Sequence, residues 1–206
     1  MKKLLFIASI LTVSLIATIS FAHNKMPSKM TKPTLTKMNT TGDLKWTGFG
    51  VGKSHTGTVT LKSGTIEMKG TELVGGIFVL DMTTLKTSDS PKLEGHLKSA
   101  DFFDVEKFTE GTFKITKVEV IKGSKAGEPT HKITGDLTIK GKTHTEMLLA
   151  TVNQDEKGIA ATAETEIKDR TQYDIVYNSA KFKAVSALGD KLIQDNIKVQ
   201  LNIKTN

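Results

Sequence analysis

Gly52-Lys53-Ser54, within "GFGVGKSHTGTV" (residues 48 to 59), are the three residues that close a phosphate-binding loop, so nucleotide hydrolysis is the first chemistry they raise. Such a loop needs a glycine five positions earlier and a helix straight after, because backbone amides and a helix N-terminus together cradle the phosphates. The earlier position is Thr47, and beyond Ser54 the apolar residues Val59, Leu61, Ile66 and Met68 alternate with polar ones. Alternation is strand period. A loop that feeds a hairpin offers no helix to a phosphate, and the nucleotide reading fails.

The other reactive side chains form no constellation either. The chain has no cysteine, and its serines and histidines are scattered among turns, with no nucleophile arrangement of a known kind. His55, His96, His131 and His144 lack the close pairing that puts two metal ligands on one face. Asp101 and Asp104 flank Phe102-Phe103, and carboxylates so placed beyond a helix end cap or solvate more often than they transfer protons. The chain is therefore read as a non-enzyme with no metal site.

"MKKLLFIASILTVSLIATISFA", residues 1 to 22, has a basic start, an uncharged apolar run and small residues at Ser20 and Ala22. This is the layout of a secretory signal peptide, and it predicts cleavage after Ala22 and export to the periplasm. Without cysteine there is neither a disulfide nor a lipid-modified cysteine, so the core alone must hold the fold. Residues 23–42, with two prolines, four lysines and scattered apolar groups, read as a flexible tether that orders near its end. Residues 43–206 are long enough for one domain. Removing Lys2 and Lys3 with the leader lowers the net charge from +7 to +5. That excess is spread among acids and shows no basic stripe with aromatics between, which excludes nucleic acid as a partner.

The elements that must position any site are strands. Leu44 and Trp46 alternate, then Val59 and Leu61, then Ile66 and Met68. "ELVGGIFVLDM" adds a strand whose Gly75-Gly76 implies a bulge or a close backbone approach. Phe113 and Ile115 are followed by Val118 and Val120 one residue out of phase, the slip a bulge produces. Ile133, Leu137 and Ile139 follow, then Met147, Leu149 and Thr151, then Ile159, Ala161, Ala163 and Ile167. "NIKVQLNIK" alternates without a fault from Ile197 to Ile203. One helix is expected where Ser90-Pro91 precede Leu93 and Leu97, four apart on one face. Hairpin-connected strands with one apolar face hide their edges by closing into a barrel or by pairing as a sandwich. An eight-stranded barrel is either filled or holds one apolar ligand.

The residues also carry a resemblance. "WTGFGVGKSHTGTVTLKSGTIEMKGTELVGGIFVLDMTTLKTSD", "KLEGHLKSADFFDVEKFTEGTFKITKVE" and "ITGDLTIKGKTHTEM" resemble the YceI-like family of exported polyisoprenoid-binding proteins, from about Leu44 to the C-terminus. The turn around His55, Leu80-Asp81-Met82, the run from His96 to Asp104 and the run from Gly135 to Gly141 carry it. The chain departs from the family at Thr109-Glu110, where a proline is common. The resemblance implies an all-β, eight-stranded antiparallel, lipocalin-like barrel, with one short helix over an end and an apolar pocket for an isoprenoid chain. It also implies that Gly48, Gly50, Gly52 and Gly57 are turn glycines that carry His55 to the barrel mouth.

Candidate ligand-binding residues on the first strands are Trp46, Phe78, Leu80 and Met82. Around the helix they are Leu93, Leu97, Phe102, Phe103 and Phe108, and on the middle strands Phe113, Ile115, Leu137 and Ile139. His55 and His96 are candidates for a polar or anionic head group. Roughly forty ligand carbons at about 0.3 kcal/mol each reach on the order of 12 kcal/mol without a polar contact. The expected function is thus a non-catalytic periplasmic carrier of a quinone or polyprenyl phosphate, with no required cofactor beyond that bound lipid. Such a carrier would touch a membrane transiently, and a homodimer stays open. The alternatives are an enzyme or stress factor acting on a small apolar substrate with His55 as base, and a solid-cored interaction module.

Overall fold

A computed structural model describes residues 34–205. The leader and residues 23–33 lie outside the described residues. Eight strands run in chain order: β1 (Leu35–Gly50), β2 (Lys53–Lys69), β3 (Glu72–Thr87), β4 (Glu110–Val120), β5 (His131–Ile139), β6 (Lys142–Asp155), β7 (Gly158–Ile167) and β8 (Ile193–Thr205). Each pairs antiparallel with the next, and β1 pairs with β8. The sheet closes into a barrel with no edge strand. Closure decides against the sandwich.

The first strand starts earlier than expected. Residues 35–42, read as the end of a tether, form the first part of β1 and pair with the far end of β2, from Leu35 opposite Lys69 to Thr40 opposite Gly64. Only Met38 and Thr40 turn toward the core in this stretch, so its composition resembles a linker although β2 needs a partner there. In β6 the expected phase is inverted. Leu148 and Ala150 are 8% and 1% exposed, while Met147 and Leu149 are 46% and 41% exposed. "MLLA" is apolar on both phases, so alternation there carries no sign.

The irregularities fall where the pattern places them. The register of β4 against β5 shifts between Ile115 and Lys117, which returns Val118 to the inner face. A Cβ on Gly76 would lie 2.7 Å from the Thr65 carbonyl oxygen, so the backbones approach too closely there for a side chain. The helix α1 (Pro91–Lys98) is capped by Ser90, whose hydroxyl accepts the Leu93 amide at 3.3 Å, with Pro91 opening the first turn. The connection from β7 to β8 adds a 3-10 turn (Arg170–Tyr173) and a single α turn, α2 (Val185–Leu188), which runs on into a 3-10 turn (Gly189–Lys191).

The barrel interior has two parts. At the end where β2 turns into β3 and β6 into β7, Ile66, Met68, Leu73, Ile133, Ala150 and Ile159 are all buried against one another. At the other end the two long connections, one holding α1 and one holding α2, border the opening. The inward residues there face a cavity.

Candidate functional site

The cavity has a volume of about 410 Å³. Strand alternation builds its wall, because every second residue of a closed sheet points inward. Trp46 comes from β1, His55 from β2, and Phe78, Leu80 and Met82 from β3. Phe113 of β4 sits directly across from Leu137 of β5, with Ile139 beside them. Leu93, His96 and Leu97 of α1 and the following Phe102 and Phe103 close the side under the helix.

Two candidates lie elsewhere. Ile115 points inward but one level deeper, in the solid end, with its Cδ1 3.4 Å from where a Gly76 Cβ would sit. Phe108 is half-buried at the turn between β5 and β6, where its ring lies 3.4 Å from the Cβ position of Gly141. It follows α1 in sequence and lies at the same end of the barrel, but its ring packs on the β5–β6 turn and does not line the cavity.

The wall also contains residues outside the candidate set. Ile197, Val199 and Leu201 of β8 line the cavity, and the faultless alternation of that strand was the signal for them. Gly48 lines it too, and nothing lies within 4 Å of where its Cβ would be. The four glycines around His55 therefore do different things. Only Gly52, at φ +66°, makes the turn. Gly57 underlies the Trp46 indole, whose ring would be 2.5 Å from an added Cβ.

The polar groups at the cavity are held by the protein itself. His55 Nδ1 lies 3.1 Å from Asp89, close enough for an ion pair although poorly angled for a hydrogen bond. His96 Nε2 meets Asp101 at 2.9 Å, and its ring stands edge-on to Phe102 and Tyr177 at 5.0 and 4.8 Å. The Tyr173 hydroxyl donates to Glu146 at 2.8 Å; burial and that carboxylate raise the phenol's pKa, so it remains the donor. Asn196 donates to Glu166 at 2.7 Å.

Arg170 is the main residue that sequence reading missed. Its guanidinium donates to the carbonyls of Ile175, Tyr177, Ile193 and Gln194 at 2.6 to 3.2 Å and pairs with Asp195 at 3.3 Å. One buried fork thereby ties both ends of the β7–β8 connection together beside the opening. It is the only arginine among 29 basic residues, and that singularity was the available signal. Beside it, burial pushes the Asp169 carboxyl up, but the Lys181 ammonium and the Thr171 hydroxyl and amide outweigh this and hold it down to about 2.

The arrangement is suited to burying an apolar body. Among the described residues no group of three or more His, Cys, Asp or Glu side chains could hold a metal ion. Neither cavity histidine is hydrogen-bonded through its ring to a hydroxyl among the described residues. Among those residues, no helix is long and apolar enough to cross a membrane.

Comparison with known proteins gives three findings. A family model described as a YceI-like domain matches residues 16–205. The chain is 39% identical over 70 residues to a UPF0312 protein of Pseudomonas putida, covering 34% of each chain. It is 42% identical over 65 residues to a UPF0312 protein of Vibrio parahaemolyticus, covering 32% of this chain and 31% of that one. These matches span about a third of the curated relatives. The fold is similar to Burkholderia cenocepacia BcnA, with TM-score 0.62, 17% identity and coverage of 80% of this chain and 96% of that one. It is also similar to a polyisoprenoid-binding domain from Saccharophagus degradans, with TM-score 0.55, 9% identity and coverage of 83% and 99%.

Proposed function

The chain belongs to the YceI-like family, and on that premise we propose that it binds a long apolar isoprenoid, of the quinone or polyprenyl phosphate type, without making or breaking a bond. The observation that carries this reading is the hollow end of the barrel: a cavity of about 410 Å³ walled by aromatic and aliphatic side chains. Volumes of this order are typical of small-molecule sites, which are mostly apolar with a few placed polar groups. The polyisoprenoid-binding domain of similar fold supports the choice of ligand class.

The apolar wall supports a carrier over an enzyme, as does the lack, among the described residues, of a hydroxyl nucleophile hydrogen-bonded to either cavity histidine. His55, His96 and the exposed Lys53 and Lys191 line the cavity, and in this proposal they meet a polar or anionic head. Export to the periplasm with cleavage after Ala22 is part of the proposal and rests on the leader-like first residues.

The test is mass spectrometry of organic extracts from the protein purified from its exporting host, beside a folded Phe113→Asp, Leu137→Asp variant. A long-chain isoprenoid in the first sample alone is expected. Its absence from both would overturn the reading, and the intact mass of the same protein reports whether the chain begins after Ala22.

A further inference from the structure

The excursion at the hollow end leaves the wall at Asn178 and returns beside it at Ile193, whose amide donates to the Asn178 carbonyl at 3.0 Å. Its base is fixed. Ser179 is fully buried and donates to Asp195 at 3.0 Å, and Arg170 holds the carbonyls of Tyr177 and Ile193. Leu188 is buried as an anchor on the return.

Between these fixed points every residue from Ala180 to Ala187 is exposed. The stretch reads "AKFKAVSA", with Phe182 and Val185 each 59% exposed, lysines on both sides of Phe182, and no acid. The neighbouring turn between β1 and β2 presents Val51, 50% exposed, two residues before Lys53. Both elements border the same opening, because Gly50 pairs with Ile193 and Lys53 and Lys191 both line the cavity. Lys181 pairs with Asp169 and Lys183 lies over the Tyr177 ring, while Lys53 and Lys191 have no ion-pair partner among the described residues.

Exposed apolar residues on the barrel wall are placed differently. Ile77 lies opposite Lys114, and Leu149 lies between Lys132 and Glu164, so each is isolated among charges of neighbouring strands. Among the described residues, the exposed Val120 and Ile121 beside Lys122 at the other end have no aromatic with them. Asp190 is the one acid of the excursion, and the rim combines Phe182, Val185 and Val51 with the unpaired Lys53 and Lys191. Interfacial lipid binding uses this combination: apolar groups enter the acyl boundary while lysines meet anionic head groups.

We propose that the 179–192 excursion and the β1–β2 turn dock the hollow end on an anionic lipid bilayer, so that the cavity opens against the membrane surface. This docking builds on the isoprenoid reading, since it gives a carrier's ligand a route that avoids water, but the surface chemistry stands apart from what the cavity holds.

The experiment is flotation with vesicles of phosphatidylcholine alone and of phosphatidylcholine with phosphatidylglycerol, using the protein as purified from expressing cells. The wild type is expected to float at least about tenfold more on the anionic vesicles, and less as salt is added. Phe182→Asp with Val185→Asp, both at exposed positions that a folded barrel tolerates, should abolish the difference. Ile77→Asp, an equally plain change on the wall, should leave it intact. Equal flotation on both vesicles, as a retained leader would give, overturns the proposal. So does flotation unaffected by the rim variant, or none on either vesicle, which would leave the rim for a protein partner. Loss of flotation while isoprenoid is still extracted sinks the docking alone; flotation with an empty cavity sinks the isoprenoid reading and leaves the docking standing.

Discussion

The two ends of the barrel are built from the same alternating strands yet hold their interiors differently. At the solid end Ile66, Met68 and Ile159 are nearly sealed from solvent. At the hollow end Leu44, Phe113, Val199 and Leu201 occupy equivalent inward positions but are only half-buried, because they face space. Polarity does not separate the ends. The wall of the cavity gains room from Gly48, and its opening is bordered by the α1 connection and the Arg170-held segment. Packing holds one end, and a hydrogen-bond network holds the other.

Removing the network should have the largest effect on folding. Arg170→Met removes this donor from four carbonyls and leaves Asp195 with Ser179 but without its cation, and breaking a buried pair from one side costs about 3–5 kcal/mol. Urea denaturation should show that loss. A cost below about 1 kcal/mol would mean that the hollow end holds without its arginine, and the contrast between the ends would fail.

Matched truncations sharpen the comparison. Ile159→Ala in the solid end should cost about 2–4 kcal/mol, since the removed atoms leave an enclosed void. Leu201→Ala in the hollow end should cost about 1 kcal/mol, because much of its side chain already borders open space. The same denaturation curves compare the two. Equal costs would indicate a cavity that collapses in solution.

Acid should act on the hollow end first. Asp169 has a folded pKa of about 2 against an ordinary 3.8, so its contribution is fully present above that ordinary value and fades as pH falls toward about 2. The Lys181 pair and the Thr171 contacts loosen with it. Amide exchange near residues 170–181 should therefore rise between about pH 4 and pH 2, before exchange in β2 and β7 at the solid end.

How much of this was legible depended on whether an unambiguous local pattern existed. β8 could be read residue by residue because its two faces differ completely, whereas "MLLA" in β6 offered both faces the same chemistry and its phase was set by Leu148 and Ala150 fitting inside. Residues 35–42 looked like a linker because only two of them turn inward. Most candidate lining residues do line the cavity, since period 2 fixes the inner face. Period does not fix depth, and so Ile115 was misplaced by one level. The Arg170 network had no local pattern at all: its acceptors come from Ile175, Tyr177, Ile193 and Gln194, which only the closed barrel brings together.

The smallest expected effect on folding comes from a change that should have a large effect on binding. Gly48 follows Leu44 and Trp46 on the inner face of β1, its φ lies outside the left-handed region, and an added Cβ meets nothing within 4 Å. Gly48→Phe therefore adds a ring to vacant space, unlike Gly57→Ala, whose Cβ would fall 1.9 Å from the Lys86 carbonyl oxygen. Overpacking strain arises only where neighbours must move. The Gly48→Phe variant should melt within about 3 °C of wild type, while extracted isoprenoid drops at least about tenfold. Retention of the lipid by a variant that still folds would place the ligand outside the cavity, and the difference between the two ends would then be a matter of packing without a role in binding.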